Sequence, residues 1–531
     1  MTSIFKHVGK DLSASIVVFF VALPLCLGIA LASGAPLFSG LIAGIIGGIV
    51  VGSISGSALG VSGPAAGLAV IVLTAIGTLG SFEDFLLAVI LAGVLQLIFG
   101  VLKAGVIGYY FPSAVIKGML AAIGIIIVLK QIPHAFGHDA DFEGDENFVQ
   151  ADGETTFSAL SAMLDSLTPG AIVLSVISLL ILILWDKVLT KKHQIFKLVP
   201  GPLVAVVVGI IFQSLVPEGS FLFIGATHLV NVPIPENVDM FLGQFTLPNF
   251  GAITKVEVWT VALTLAIVAS LETLLSVEAA DKIDPEKRIT PTNRELLAQG
   301  TGNILSGLIG GLPLTQVIVR SSANVMSGGK TKLSTIIHGL FLLLAVILIP
   351  RLLNKIPLAV LAAVLLMVGF KLANPSLFRS MFRLGKSQFL PFIVTVLGVV
   401  FTDILVGISL GMAVSVLIIL IENYKNSHFL HITKGVEGEN HIRMTLAEEL
   451  SFLNKGAILR ELSNLPEDTL LEIDVRKTIH MNYDVIEILD DFTSKAKERK
   501  INIKLITSKG TIENPESYLA LFGAGAPVSS H

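Results

Sequence analysis

Apolar stretches close to the length of a bilayer-spanning helix recur along this chain, and they limit its fold more than any other feature. Examples are 16–32, 86–101, 172–184, 258–271 and 340–349 with their flanks. About 20 helical residues cross a hydrocarbon core of ~30 Å. A soluble chain of 531 residues needs more charge than the 14% found here, set against 53% hydrophobic residues and a mean hydropathy of +0.82. The net charge of −4 is too small to point to a nucleic-acid partner. Cys26 is the only cysteine and lies inside the first apolar run, which excludes a disulfide framework and a thiolate metal cluster. That run is too long for a signal-peptide core and leads straight into the next, so no cleavable signal is expected.

The runs divide into fourteen segments, near 12–32, 38–57, 64–80, 84–102, 111–131, 169–186, 199–216, 256–280, 291–310, 314–328, 331–349, 356–371, 387–402 and 403–421. Short loops rich in Lys and Arg stay in the cytosol. A cytosolic N-terminus (Lys6, Lys10) then makes five lysine- or arginine-bearing connections internal. They carry Lys103; Lys187, Lys191, Lys192 and Lys197; Lys282, Lys287, Arg288 and Arg294; Lys330 and Lys332; and Lys371, Arg379, Arg383 and Lys386. The outer loop 131–170 has no Lys or Arg and many acids, among them Asp139, Asp141, Glu143, Asp145 and Glu146. One outer loop, with Arg351 and Lys355, departs from the rule. An even count returns the C-terminus to the cytosol, and the expected location is the inner (plasma) membrane.

Seven segments precede the connection 217–255 and seven follow it, so the two halves have opposite orientation. In each half the third segment is short and opens on Gly and Pro: 60–64 (GVSGP) in the first, 310–313 (GGLP) in the second. Interrupted segments at matching places of inverted halves point to a transporter binding site. A helix that starts in mid-membrane leaves backbone N–H groups without partners and carries about +0.5 charge at that end. Two such ends facing each other suit an anion. A lone break of this kind is more often a packing kink; the matched pair is what favours a site.

Charges inside apolar runs are the next signal. Glu272 sits in the run 269–276 (ASLETLLS), and a carboxylate at mid-bilayer usually marks an ion or proton path. Glu278 is nearer the cytosolic end, where snorkelling or a salt bridge accounts for it. Arg320, expected one to two turns into the second short helix, can balance Glu272, contact the anion or face the inner water. His134 and His138 fall in the acidic outer loop, where a solvated role outweighs a metal site. No metal-ligand cluster, nucleophile elbow or Walker loop is present, which leaves a membrane enzyme without support.

Several of these stretches resemble the SulP family of anion transporters, which is related to the animal sulfate carriers. They are 11–15 (DLSAS) leading to Ala22-Leu23-Pro24; 62–67 (SGPAAG); 293–300 (NRELLAQG) through Gly302-Asn303; and 310–313 with Arg320. The resemblance covers essentially the whole chain. It implies an α-helical membrane protein of about fourteen segments in a seven-plus-seven inverted repeat, with core and gate subdomains and elevator-like movement of the core. It further implies a homodimer and a C-terminal STAS domain. The domains are then 1–425, with repeats at about 11–216 and 256–422, and 428–531. The family's substrate site maps onto Ala65, Ala66, Gly67, Thr315, Gln316 and Val317, with Arg320 nearby and a side wall from Leu23 to Cys26. Its acidic position on the eighth segment maps to Glu272, with the Ser276 hydroxyl one turn on. Glutamate there, rather than aspartate, favours a bound proton and leaves sodium open. No other cofactor is implied.

After about 428 the chain becomes charged and patterned like a soluble domain. Residues 470–475 and 501–506 read as strands, and 483–497 as a helix with Val485, Ile486, Ile488, Leu489 and Phe492 inward. Where the family's bacterial regulators carry a phosphorylated serine before this helix, the sequence reads Asn482-Tyr483-Asp484, so a serine switch of that kind is not expected. The expected function is transport of a small inorganic anion, bicarbonate before sulfate, coupled to protons or sodium. An uncoupled channel or exchanger, or a dicarboxylate carrier, is the alternative.

Overall fold

The structure, a computed structural model, describes residues 7–139, 148–149, 155–192, 196, 199–234, 238–434 and 440–523. Lys6, Asp141, Glu143, Asp145, Glu146 and Lys197, used in the topology argument, lie outside the described residues. The chain divides into two compact units, Met1–Met412 and Ala413–His531.

All fourteen expected segments appear as helices. In chain order they are α1 (Val8–Ala32), α2 (Leu37–Ile54), α3 (Ala66–Leu79), α4 (Phe82–Val101), α5 (Ser113–Ala135), α6 (Pro169–Lys192), α7 (Gly201–Leu215), α8 (Val256–Ile283), α9 (Thr292–Leu308), α10 (Ile318–Met326), α11 (Leu333–Leu348), α12 (Leu358–Leu372), α13 (Lys386–Phe401) and α14 (Ile404–Lys425). Among the described residues, eight helical stretches are long and apolar enough to cross a membrane unaided. The others are shorter, and α9 and α10 carry much of the polar character of the unit's interior.

The third and tenth segments differ from the sequence expectation at their starts. Residues expected to be helical from 64 and from 314 begin instead as extended backbone, β1 (Ser62–Pro64) and β2 (Leu314–Gln316). Pro64 and Pro313 each push the residue before them away from helical geometry. The two strands satisfy their backbone groups by pairing with each other, antiparallel, with Gly63 opposite Thr315. Arg320 consequently stands in the first turn of α10 rather than deeper within it.

The helices of this unit pack in two sets. In one, α4 lies on α8 and α9, and α1 lies on α2 and α11. In the other, α5 lies on α12 and α13, and α6 on α7 and α12. Close backbone approach marks each set. A Cβ on Gly300 would stand 2.7 Å from Gly93 O, and one on Gly369 would stand 2.8 Å from Gly124 O. Small residues at such crossings let helices touch where lipid offers no hydrophobic driving force.

The second unit is a five-stranded sheet with helices, an α/β domain of the STAS type. Its strands are β3 (His428–Lys434), β4 (Asn440–Leu446), β5 (Glu449–Leu450), β6 (Thr469–Asp474), β7 (His480–Met481), β8 (Asn502–Thr507) and β9 (Gly510–Glu513). The main sheet runs β3-β4-β6-β8-β9, with β4, β6 and β8 parallel and both edges antiparallel. The helix Tyr483–Glu498 buries Val485, Ile486, Ile488, Leu489 and Phe492, the inward face read from the sequence. The Asn482 side chain caps it by accepting the Asp484 N–H.

Candidate functional site

Two helix starts meet where β1 crosses β2. Ladder contacts extend past the strands: the Val317 N–H donates to Val61 O at 2.9 Å, and the Val61 N–H to Ser321 Oγ at 3.0 Å. The residues that open the two short helices adopt nearly the same backbone geometry. Ala65 has φ −109° and ψ 131°, and Val317 has φ −112° and ψ 125°. Neither helix has a side-chain cap. The first-turn amides of both, at Ala66 and Gly67 and at Ile318 and Val319, are thus the unpartnered donors that a helix start leaves over. Two partial positive ends are turned to one place.

A small cavity of about 20 Å³ opens at this place, with Ala66, Val317 and Ile318 from the helix starts and Glu272 and Ser276 from α8 on its walls. That volume holds one water. Met119 and Ile123 of α5 and Ile404 of α14 close the opposite side. A second cavity of about 490 Å³ adjoins through shared walls: it also reaches Glu272 and Ile404, and adds Gly67, Val70, Thr402 and Asp403. Glu272 therefore faces both spaces. A Cβ built on Gly67 would lie 3.3–3.4 Å from the Glu272 carboxyl, so α3 passes close beside it.

Arg320 lies off both cavity walls. It is fully buried, and none of its three guanidinium nitrogens has a hydrogen-bond partner among the described residues. It packs against Gly63 of β1, with the Cys26 thiol close by: a Cβ on Gly44 would stand 2.5 Å from Sγ and 3.8 Å from Arg320 Nη1. A buried charge without a partner is costly, and an anion brought to it offsets that cost. Thr315 and Gln316 are fully buried in β2; the Gln316 side-chain amide also has no partner among the described residues, and its backbone N–H donates to Thr273 Oγ1 at 3.3 Å. Leu23, Cys26 and Ala65 are buried and do not line either cavity.

The structure thus brings Ala66, Gly67, Val317, Glu272 and Ser276 to the cavities, and sets Arg320 and Cys26 together behind β1. Sequence reasoning did not single out Met119, Ile123 and Ile404, since ordinary apolar residues in apolar helices carry no signal. Asp403 was not singled out either, although an acid between two apolar runs is a signal that could have found it. Glu278 forms an ion pair with Lys282 at 3.2 Å, one of the two roles expected for it.

His134 differs from expectation. It lies in the last turn of α5, not in a solvated loop, and is 3% exposed. Its Nδ1 meets Asp139 Oδ1 at 2.5 Å, while His228 Nδ1 meets Asp139 Oδ2 at 2.6 Å. Asp139 thereby ties the end of α5 to the connection between α7 and α8. Burial works to raise the Asp139 pKa, but the hydrogen bonds from His134 and His228 outweigh it and hold the carboxyl below its usual range. His138 instead bonds Ser166 Oγ. Among the described residues no group of ligands suited to a metal is formed.

Comparison with known proteins places this architecture. The profile of the Sulfate permease family matches residues 8–395. The chain is 29% identical over 403 residues to a putative sulfate transporter of Bacillus subtilis, YvdB, covering 76% of this chain and 72% of the relative. It is 25% identical over 548 residues to the bicarbonate transporter BicA of Picosynechococcus, covering 98% and 92%. Among solved structures, the murine Slc26a9 anion transporter superposes with a TM-score of 0.65 at 16% identity, covering 95% of this chain and 86% of that one, a likeness of fold. The matched relatives are transporters rather than enzymes, and with the profile spanning most of its length this chain belongs to the sulfate permease family of membrane proteins.

Proposed function

We propose that this protein is a secondary active carrier of a small inorganic oxyanion, bicarbonate ahead of sulfate, coupled to a proton or a sodium ion. The observation that carries this reading is the meeting of two uncapped helix starts with a fully buried, unpartnered Arg320 on one side and Glu272 on the other. The first-turn amides at Ala66, Gly67, Ile318 and Val319 hold the anion, Val317 lines its cavity, and Thr315 and Gln316 support them. Arg320 supplies the fixed positive charge from behind β1, with Cys26 beside it. Glu272 and Ser276 hold the cation. One fixed cation opposed by one acid suits a monovalent or proton-compensated load, which sets bicarbonate first. The names of the relatives support both anions.

The set containing α1–α4 and α8–α11 carries the site, and the set containing α5–α7 and α12–α14 closes it with Met119, Ile123 and Ile404. In this reading the first set moves past the second, as an elevator. The assembly is a homodimer in the plasma membrane, with both termini in the cytosol.

The test is uptake of labelled bicarbonate and sulfate into proteoliposomes under an imposed proton or sodium gradient. Accumulation of one anion above its equilibrium level supports the carrier and names its load. Rapid flux with no accumulation under any cation gradient sinks the coupled reading in favour of a channel or exchanger.

A further inference from the structure

Two hydrogen-bonded links join β2 to the turn of α8 that carries Glu272. The short one is direct, from the Gln316 N–H to Thr273 Oγ1 at 3.3 Å, one residue beyond Glu272. The long one passes through three side chains. Asn303 of α9 accepts the Leu314 N–H on Oδ1 at 2.7 Å and returns an Nδ2–H to Leu314 O at 3.0 Å. Its amide pairs with β2 as another strand would. Asn303 Nδ2 also donates to Gln96 Oε1 of α4 at 2.7 Å, and Gln96 Nε2 donates to Ser270 Oγ of α8 at 3.4 Å, two residues before Glu272.

The direction of this relay is fixed by its own chemistry. Oδ1 of Asn303 must face the Leu314 N–H, so Nδ2 faces Gln96. The Gln96 oxygen must then turn to Nδ2, which leaves its own N–H groups for Ser270. Gln96 is 0% exposed, Asn303 2% and Ser270 6%, so water does not substitute for any member. Two primary amides between α4, α8 and α9 are costly unless paired, and they are paired end to end.

We propose that Gln96 and Asn303 are positioning residues that transmit occupancy of the Glu272 site to the anion-binding start of α10. The proposal rests on the coupled-carrier reading above. A cation at Glu272 fixes the turn Ser270–Thr273. Through Gln96 and Asn303 that turn fixes Leu314, and through β2 it sets the amides of Ile318 and Val319 where an anion meets them. Release of the cation frees the turn, and β2 follows. Neither residue touches the anion or the cation. Coupling of this kind is reciprocal between the two sites, and its usual size is a factor on the order of 5–150 in affinity.

The experiment uses the full-length protein in proteoliposomes. The half-saturating anion concentration for downhill uptake of bicarbonate and of sulfate is measured with and without the coupling cation. Wild type is expected to show the shift given above. Gln96→Met keeps the side-chain volume and leaves both Asn303–Leu314 bonds in place, while it removes the relay's bonds to Asn303 and to Ser270. With the direct Gln316–Thr273 bond left in place, the shift is expected to shrink by at least roughly threefold, while the maximal rate at saturating cation stays within roughly twofold. Ser270→Ala cuts the same link from the other end and is expected to give the same result; it decides alone where Gln96→Met does not fold. A full cation-dependent shift in Ser270→Ala overturns the proposal. So does a fall in maximal rate with the cation dependence intact, since that is what a merely structural role produces. A wild type with no cation dependence is seen before any variant is made; it removes the coupled reading itself, and the proposal with it.

Discussion

The Arg320 guanidinium lies directly against the α-carbon of Gly63: a methyl group placed there would stand 2.0 Å from Nη1 and 3.0 Å from Cζ. Only glycine leaves room at this point of β1 for a charged group in the first turn of α10. The proposed anion site thus depends on a missing side chain as much as on a present one.

Gly63→Ala is expected to drive the guanidinium out of its place. Overpacking of this kind costs about 1–3 kcal/mol. The expected outcome is a folded, membrane-inserted protein with a lowered melting temperature and a half-saturating anion concentration raised roughly tenfold, about 1.4 kcal/mol of binding. Radiolabelled uptake and thermal melting on the same preparation check it. Unchanged uptake shows that Arg320 has no part in anion binding.

Glu272→Gln keeps the shape of the α8 wall and removes its charge. Cation-driven accumulation of the anion is expected to disappear, with downhill exchange retained within about tenfold, or ~1.4 kcal/mol of barrier. Accumulation that survives this change removes Glu272 from the coupling role.

The Asp139 clamp gives a stability term with a definite sign. Its carboxyl is held below the usual range by His134 and His228 once burial has been outweighed. Its contribution is therefore complete above the unfolded carboxylate value of about 3.9 and is lost as pH falls through the lower folded value. Asp139→Asn is expected to cost about 1–3 kcal/mol at neutral pH through its buried, poorly paired amide. Melting temperatures of the two proteins should differ at pH 7 and converge in strong acid. A difference that stays constant down to the acid limit contradicts the clamp.

Asp474 gives the second unit a similar signature. The hydrogen bond from Arg476, then that from Arg443, holds its carboxyl far below the usual range; Arg443 Nη2 lies 2.5 Å and Arg476 Nη2 2.8 Å from Oδ2. Asp474→Asn is expected to lower the melting of the full-length protein's second unit near neutrality, with the difference fading as the wild-type carboxyl protonates. Hydrogen exchange across β4, β6 and β8 follows it, and unchanged exchange in the variant shows that the pair is decorative.

How much of this was legible in the sequence varies with the kind of fact. Glu272 was conspicuous because a carboxylate in an apolar run has few bland explanations. Gln96 was not, because one amide in a long apolar helix has many. His134 was misjudged, since nothing local shows that Asp139 and His228, 89 residues apart, close around it.

The sequence by itself determined the fourteen segments, their order and the two Gly/Pro breaks. Bilayer thickness sets the length of an apolar run, and proline and glycine act on their immediate neighbours, so each is a local property. It also determined the inward face of the helix Tyr483–Glu498, which is a matter of period. Only the tertiary structure decided that β1 and β2 pair across some 250 residues of chain, that Arg320 rests on Gly63, and that Leu314, Asn303, Gln96 and Ser270 form one relay. Each of these is a contact between segments far apart in sequence. Such contacts depend on how whole helices pack, and no local pattern of residues encodes that.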